Sequence, residues 1–320
     1  MLKFTLKKLL ALIPKVLIIT IICFFLLELL PGDPLSRSMS PEAYHELTEA
    51  QKDAFREARG LNDPAIVRYF RWLGDLLQGD FGISTVTGQD IGELIANRLP
   101  STIELNVYGL IFANILGIIF GYLAAIYKNT IVDYSLNFFS VIMVSLPEFF
   151  FGISFLVIFS LGLGWFPVGG RSPATSDYTF LERIPYMVLP VLTMGTSLIA
   201  ALLKYTRSSM LDVLGKDYVK TARSKGLTET KVNIKHAFRN SLPPVMTMLV
   251  MRIPRLVGGS VVIEQVFNYL GIGAMSLNAT RQGDMPVALF GTIITAIMTL
   301  LASTLVDVMT AALDPRVRFD

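Results

Sequence analysis

The chain has 320 residues, of which 52% are hydrophobic and 17% charged, and its mean hydropathy is +0.56. A soluble domain does not need apolar surface along its whole length, so the composition predicts a polytopic membrane protein. The net charge of +3 gives no reason to expect a nucleic-acid partner. The single cysteine, Cys23, excludes an internal disulfide, and the histidines His45 and His236 lie in separate polar segments, so no zinc site is expected.

Six apolar runs are long enough to cross a bilayer, which takes roughly 20 residues as a helix. They extend over Leu9–Leu30, Thr102–Tyr127, Tyr134–Trp165, Tyr186–Leu203, Val245–Leu270 and Val287–Thr310. The first run is too long for the apolar part of a signal peptide, and a Pro-Gly-Asp-Pro sequence follows it in place of a cleavage site. We therefore predict an all-α integral membrane protein with about six transmembrane helices.

Basic residues predict the orientation, because cytoplasmic loops carry an excess of lysine and arginine. With a cytoplasmic N-terminus, segments 1–8, 128–133, 204–244 and 311–320 lie inside, and the short outside loops hold only Arg171, Arg183 and Arg281. The inside segments hold fifteen basic residues: Lys3, Lys7, Lys8, Lys128, Lys204, Arg207, Lys216, Lys220, Arg223, Lys225, Lys231, Lys235, Arg239, Arg316 and Arg318. Both termini are therefore predicted to be cytoplasmic.

The segment from Pro31 to Pro100 is the one sizeable part predicted outside the membrane. Ser40 followed by Pro41 predicts a capped helix that ends near Gly60, and Ile66–Leu77 has apolar residues at helical spacing. Two interpretations remain open for this segment. It either shields the outer helix ends or contacts a soluble partner or its cargo.

A basic segment lies between the fourth and fifth apolar runs. Leu211–Lys225 predicts a helix with Gly215 as its one breaker, Gly226 predicts a turn, and Glu229–Asn240 predicts a second helix that ends before Pro243-Pro244. Such a segment either binds anionic lipid headgroups or docks into a protein groove. The basic residues favour the first interpretation, whereas the paired-helix shape and an apolar side composed of Tyr218, Ala222, Leu227 and Val232 favour the second, so both remain open.

The sequence from Lys220 to Gly226, KTARSKG, resembles the EAA loop of ATP-binding-cassette importer permeases. In that family, three residues, a three-residue gap and a glycine mark the helix that docks on the ATPase subunit. Lys220 stands in place of the leading glutamate and Thr221 in place of the middle alanine, while the Leu242-Pro243 ending comes later. These departures are similar to the dipeptide and oligopeptide branch.

Further motifs of that branch occur in the same order along the chain. They are PGDP (31–34), GLNDP (60–64), YFRWLGDLLQGDFGIS (69–84), RLPSTIEL (98–105), SLPEFFFG (145–152), LGWFPVGG (163–170), EQVFNYLGIG (264–273) and LDPRVRF (313–319). Leu270 departs from the proline expected before Gly271. The chain resembles the first permease subunit of a dipeptide or oligopeptide importer.

This resemblance implies the type I ABC importer permease fold and a heteromeric complex in a bacterial cytoplasmic membrane. The complex would contain a second permease, two ATP-binding subunits and an extracellular solute-binding protein, with peptide as cargo. ATP and magnesium would be bound by the ATPase subunits, because the only Gly-Lys pair here, Gly215-Lys216, is followed by Asp217 and makes no phosphate loop. The residues expected to couple this chain to the ATPase are Tyr218, Lys220, Thr221, Ala222, Arg223, Lys225 and Gly226.

Five charged residues lie in or beside apolar runs, where charge is expensive and faces a bundle interior or water. They are Glu104, Glu148, Arg252, Arg255 and Glu264. Each either contacts cargo or serves helix-end solvation and interhelical pairing. We assign Glu148, Pro147 and Glu264 to the translocation path as a prediction, since a helix broken at proline is tolerated beside a cavity. The pair Gly117 and Gly121 predicts a close helix approach, within or between subunits.

The predicted organisation has four parts: residues 1–30, with the first transmembrane helix; 31–100, an extracellular helical segment; 101–313, a transmembrane core with a coupling loop at 204–244; and 314–320, a cytoplasmic tail. The same machine could import nickel complexes, glutathione or oligosaccharides. A stand-alone secondary transporter lacks support because no clear internal repeat is present. An intramembrane enzyme is disfavoured because no nucleophile or metal motif is present.

Overall fold

The computed structural model describes residues 2–29, 33–37, 39, 41–173, 179–258 and 261–313. The predicted cap Ser40 and the predicted tail 314–320 lie outside these residues. The described chain is built from helices, with one isolated bridge of extended backbone between Ile83 and Asp90. The all-α prediction is confirmed.

The first span consists of two helices that follow each other almost directly. Helix α1 covers Leu2–Leu10 and α2 covers Leu12–Glu28. Together they supply a continuous apolar stretch of 25 residues, Phe4–Glu28. Lys8 Nζ pairs with Asp307 Oδ2 at 2.6 Å and so ties this span to the last helix of the chain.

The segment after α2 folds into short helices rather than the single helix predicted from Pro41 to Gly60. A 3-10 turn, Pro34–Arg37, precedes α3 (Pro41–Glu46) and α4 (Glu49–Ala58). The break falls at Thr48, whose hydroxyl accepts a hydrogen bond from the Gln51 amide while the Gln51 side chain accepts one from the Thr48 amide. This reciprocal cap starts a new helix and explains why the prediction was wrong.

Asp33 holds these short pieces together. Its carboxylate accepts hydrogen bonds from the Leu35 amide at 3.0 Å, from the Tyr44 hydroxyl at 2.9 Å and from Arg56. The Arg56 hydrogen bond is the main reason why the pKa of Asp33 falls to about 2. The third helix of the segment, α5, covers Ala65–Leu77, close to the predicted bounds.

A tight turn connects α5 to the second span, and hydrogen bonds to Asp284, about 200 residues later in the sequence, hold the turn in place. The Ser84 hydroxyl donates to Asp284 at 2.5 Å, and the Thr85 amide and hydroxyl both lie 3.2 Å from the same carboxylate. Ser84 is fully buried as a result. Thr87, at the tip of the turn, is exposed.

Helix α6 runs from Ile91 to Ile126 and contains the second predicted span. The third predicted span, Tyr134–Trp165, is instead bent by 103° between α7 (Ile131–Ser145) and α8 (Glu148–Phe155), which continues as a π-helix over Leu156–Gly162. Leu146 is extended, with ψ of 141°, and Pro147 lacks the amide that would continue the helix. Proline disfavours the helical conformation at the preceding residue, and here Leu146 adopts the extended one, which accounts for the bend.

Helix α9, Phe180–Leu214, contains the fourth predicted span and packs along α6. A Cβ added to Gly117 would lie 2.8 Å from Leu202 Cβ, and one added to Gly121 would lie 2.7 Å from the Leu203 carbonyl oxygen. Both distances are shorter than van der Waals contact. The two glycines therefore permit a close helix approach within this subunit.

The basic segment contains α10 (Asp217–Ser224) and α11 (Glu229–Lys231), then a π-helix over Val232–Phe238 that leads into α12 (Arg239–Val250). Pro243 and Pro244 lie inside α12, so the predicted end before them is wrong. The two prolines have no amide to donate to the carbonyl groups of Arg239 and Asn240, four residues earlier. In the preceding turn, Asn240 and Ser241 donate side-chain hydrogen bonds to the carbonyl groups of His236 and Phe238.

The fifth predicted span, Val245–Leu270, is not one helix. The chain turns at Met251–Pro254 and continues as α13 (Arg255–Gly258) and α14 (Val261–Val266). Pro254 and the charged residues beside it interrupt the run. The last elements are α15 (Ile272–Gln282) and α16 (Met285–Leu313). Among the described residues, four helices are long and apolar enough to cross a membrane, or five spans if the bent pair is one.

Candidate coupling loop and translocation path

The loop predicted to couple to an ATPase is a small folded unit rather than an irregular connection. The predicted helix Leu211–Lys225 is divided, because α9 ends at Leu214 and Lys216 adopts an extended conformation before α10 begins. The inner face of α10 carries Val219 and Ala222, which are buried against Val232. This cluster gives the loop its own apolar core.

The outer face of α10 consists of polar and aromatic side chains. Tyr218 is 47% exposed, so it lies outside the apolar side that the sequence assigned to it together with Ala222, Leu227 and Val232. Tyr218 and Ala222 are four positions apart, but the buried strip of α10 consists of Val219 and Ala222, so Tyr218 lies at the exposed edge of that strip. The other predicted coupling residues on this face are exposed: Lys220, Thr221, Arg223 and Lys225.

Ion pairs hold the exposed charges of the loop in place. Lys220 Nζ lies 2.9 Å from Asp217 Oδ1, and Arg223 Nε lies 2.9 Å from Glu229 Oε1 across the turn. Gly226 adopts φ of +74°, as the turn prediction required, and no atom lies within 4 Å of a Cβ built on it. The backbone conformation alone therefore selects glycine here.

The two ends of the loop are fastened to each other. The Ser209 hydroxyl on α9 donates to the Ser241 carbonyl on α12 at 2.9 Å. Beside this bond, Met210 and Ala237 are buried, and the Phe238 ring packs edge-on against Tyr122 of α6 at 5.5 Å. These contacts join α9, α12 and α6 at the base of the loop.

A second clamp fixes the same end of α9 to α7. Arg207 donates two hydrogen bonds of 2.7 Å to the two carboxylate oxygens of Asp133, which is buried. Asp133 also accepts hydrogen bonds from the Asn129 amide and the Asn137 side chain. Bidentate pairs of this kind fix orientation as well as distance. In the sequence Arg207 is one of several basic residues of the loop, and no local pattern pairs it with Asp133.

Glu148 lies where the bent span changes direction. It is the first residue of α8, after Pro147, and its carboxylate accepts a hydrogen bond of 2.5 Å from the Ser197 hydroxyl on α9. A carboxylate at a helix N-terminus is stabilised by the helix dipole. Glu148 is half-buried and Pro147 is exposed, so both remain accessible from one side of the bend.

Glu264 lies on α14, which packs against α8, the helix of Glu148, but its side chain bonds to other elements. Its side chain is fully buried and accepts hydrogen bonds from the Thr102 hydroxyl and the Ala274 amide, both at 2.8 Å. The Thr102 oxygen in turn accepts one from the Ile272 amide at 2.9 Å. Glu264 and Thr102 thus satisfy the free amides at the start of α15. This is the interhelical pairing that the sequence left as the alternative to cargo contact.

A cavity of about 420 Å³ borders this network. Thr102 lines the cavity directly. Glu264 does not line it but accepts a hydrogen bond from Thr102. Small and hydroxyl-bearing residues provide most of the lining: Gly258, Gly273, Ser276, Thr280, Gly291, Thr292, Thr295 and Ala296. The glycine at 273 is required by space, because an added Cβ would lie 3.0 Å from Glu264 Oε2.

Two other intramembrane charges are also paired. Glu104 forms ion pairs with Arg171 at 2.9 Å and with Arg183. Arg252 donates to the Asn114 side chain at 3.0 Å and to the Leu198 carbonyl at 3.1 Å. Each connects segments far apart in sequence. These charges are therefore assigned to helix packing by their contacts.

Together, these features define the class of protein: a polytopic helical membrane protein with a bent span and a structured basic loop between two helices. The chain belongs to the family of binding-protein-dependent transport system inner membrane components, whose profile matches residues 117–319. Residues 1–106 match the N-terminal region of binding-protein-dependent transport system membrane components.

Individual relatives cover the whole chain. The chain is 40% identical over 308 residues to the oligopeptide transport system permease protein AppB of Bacillus subtilis, covering 96% of both chains. It is 37% identical over 320 residues to the glutathione transport system permease protein GsiC of Salmonella paratyphi A, covering 100% of both.

A solved structure shows the same fold at low sequence identity. A chain of the MetNI methionine ABC transporter, in an inward-facing conformation, superimposes with a TM-score of 0.55 and 14% identity, covering 69% of this chain and 96% of that one. The type I ABC importer permease fold, expected from the sequence, is confirmed.

Proposed function

We propose that the chain is the permease subunit of an ATP-driven importer of dipeptides or oligopeptides and forms half of its translocation path. The observation that carries this proposal is the full-length similarity to an oligopeptide permease, 40% identical over 96% of both chains. The fold and the folded basic loop agree with that role. A second permease of the same family would form the other half of the path.

In this proposal, α10 is the element that docks on an ATPase subunit. Its outer face is exposed, with Tyr218 and the basic residues around it, while its inner face is packed against the rest of the loop. ATP and magnesium would be bound by two ATPase subunits on the cytoplasmic side. Closure of that pair would displace α10, and the clamps at Ser209 and Arg207 would pass the displacement to α9 and α7.

The path itself is proposed to run beside the bend at Pro147. The Glu148 carboxylate would contact the positively charged amino end of a peptide or the waters around it. The cavity lined by Thr102 is proposed as a further part of the path, with Glu264 fixing its wall. An extracellular solute-binding protein would deliver the cargo to a complex whose termini lie in the cytoplasm of a bacterial cell.

Glutathione is the second candidate cargo, because the chain is also similar over its full length to glutathione permeases. The test is ATP-dependent uptake by the purified five-part complex in vesicles: this chain, the second permease, two ATPase subunits and the solute-binding protein. The cargo is a labelled tripeptide, and unlabelled compounds compete with it. Competition by a range of peptides, with little effect of glutathione, supports the peptide proposal. Selective competition by glutathione or by a nickel complex would instead identify that compound as the cargo.

A further inference from the structure

Helix α5 presents three distinct faces. At about 3.6 residues per turn, one face carries side chains that pack against the spans: Tyr69, Trp72 and Leu76. A second carries apolar side chains, chiefly Ile66, Phe70 and Leu77. The third, opposite the second, is charged and carries Arg68, Arg71 and Asp75. A helix that only capped the spans would need one apolar face, so the second needs its own explanation.

The packed face docks on the side of α2 rather than above its end. The Tyr69 and Thr20 hydroxyl oxygens lie 3.0 Å apart in a buried hydrogen bond. The Phe24 ring lies 5.6 Å from the Tyr69 ring and 5.5 Å from the Trp72 ring, and Trp72 reaches Phe290 of α16 at 5.7 Å. Helix α5 is thus fixed between two membrane spans.

These contacts also give the depth of α5 along α2. Thr20 lies two turns before Glu28, the last residue of α2, which corresponds to about 12 Å at about 1.5 Å per residue. The hydrocarbon half-thickness of a bilayer is about 15 Å. Arg68, on the charged face, pairs with Glu28 at 3.0 Å. The charged face therefore points toward the end of the span, and the rest of the helix lies alongside its apolar part.

The second face is strongly exposed at this depth. Ile66 is 64% exposed, Phe70 65% and Leu77 80%. Exposed apolar side chains also occur on α2: Leu17 and Ile21 are next to the docking strip, and Ile18 is on the opposite side of the helix. Removing such an apolar patch from water is favourable, and the helix on which α5 docks is itself long and apolar enough to cross a membrane.

We propose that α5 lies in the membrane interface, in the leaflet at the C-terminal end of α2, with Ile66, Phe70 and Leu77 in contact with phospholipid acyl chains. An amphipathic helix with a charged face toward water and large apolar residues opposite is the arrangement found at that depth. The segment predicted as extracellular is therefore divided. Helix α5 belongs to the membrane, and α3 and α4 belong to the aqueous side.

The test is a spin-label accessibility measurement on the assembled complex in phosphatidylcholine and phosphatidylglycerol vesicles. Single cysteines replace Phe70, Ile66, Arg71 or Ile18 in a Cys23→Ser background and carry a nitroxide. Molecular oxygen, which concentrates in lipid, and a water-soluble nickel chelate serve as relaxing agents. Arg71 is the matched control on the charged face of the same helix, and Ile18 on α2 is the lipid reference.

We expect the oxygen-to-nickel accessibility ratio at Phe70 and Ile66 to exceed that at Arg71 several-fold and to lie below that at Ile18, which is about 15 Å from the end of α2 and therefore deeper in the bilayer. A ratio as low as that of Arg71 places the face in water and overturns the proposal. Low access to both agents means that a protein partner covers the face, which also overturns it. All four positions are exposed, and none lies on the packed face of α5. Replacing Arg71 removes its contacts with Asp63 and with the carbonyl groups of Arg59 and Gly60, so transport activity of each variant is measured to confirm assembly independently.

Discussion

Replacing Gly226 by valine is expected to uncouple ATP hydrolysis from transport. Gly226 closes the turn after α10 with φ of +74°, a left-handed conformation. Any other residue type adopts it at a cost, and a β-branched residue is the least tolerant. Because no atom lies within 4 Å of an added Cβ, no steric clash contributes. The variant therefore isolates the effect of backbone conformation on the orientation of α10.

The magnitude follows from the same geometry. A left-handed conformation costs a residue other than glycine roughly 1–2 kcal/mol, and such an energy lowers the ratio of the native loop conformation to altered conformations by about 5- to 30-fold. Asparagine visits this conformation more readily, so Gly226→Asn should retain most of the coupling. Gly215→Ala is the matched control, because Gly215 has φ of −77° and an added Cβ would lie 3.7 Å from its nearest neighbour.

The assay measures uptake, ATP hydrolysis and retention of the ATPase subunits for one complex in vesicles. We expect uptake to fall in the order wild type, Gly226→Asn and Gly226→Val, with Gly215→Ala near wild type. Equal loss for asparagine and valine would show that the conformation of the turn is not the cause. Normal uptake by the valine variant would show that α10 is not the coupling element.

Three further predictions concern topology, cargo and the aqueous segment. In a Cys23→Ser background, a cysteine at position 87 (Thr87→Cys) should react with an impermeant maleimide added outside the cell, and one at position 224 (Ser224→Cys) should react only after permeabilisation. The reverse labelling would refute the predicted membrane orientation. Glu148→Gln should slow uptake of free-amine peptides more than that of N-acetylated ones, whereas equal slowing of both would leave Glu148 with a structural role. The pKa of Asp33 is lowered to about 2, so its stabilising contribution is present above about pH 4 and lost as the pH falls toward 2. Hydrogen exchange in α3 and α4 should therefore accelerate as the pH is lowered across that window. The Asp33→Asn variant should lack this pH effect.

Local patterns were sufficient to predict several elements. The second apolar run lies within α6 except for its last residue, Tyr127, the fourth lies within α9 and the sixth within α16. A long apolar stretch in a membrane favours the helix because backbone polar groups must be paired internally, and the fourth run remains helical although it contains Pro190. Gly226 was predicted as a turn for the same kind of local reason. The break at Pro147 was also predicted, although its 103° angle was not.

Other breaks had local signals that the prediction did not use. Thr48 and Gln51 form the spacing of a capping box inside a stretch read as one helix. Pro254, with Arg252 and Arg255 on either side, signalled that the fifth run would not continue as a single helix. In both places the overall pattern of the segment, helical at 41–60 and apolar at 245–270, favoured one helix, whereas individual residues within it end that helix.

The contacts that organise the candidate site had no local signal. Asp133 and Arg207 are 74 residues apart, and Thr102 and Glu264 are 162 apart. Such pairs depend on which helices become neighbours, and sequence spacing along one helix does not determine that. The predicted roles of Glu148 and Glu264 therefore needed the packing of α9 and α15 before their partners could be named.

The central claim is that this chain is a permease subunit driven by ATPase partners through α10. The most direct test compares cargo uptake into vesicles that contain the five-part complex with uptake into vesicles that contain this chain and its partner permease alone. We predict uptake against a gradient that requires ATP inside the α10-facing compartment and disappears without the ATPase subunits. Uptake of the same cargo by the permease pair alone, at an unchanged rate without ATP, would contradict the account.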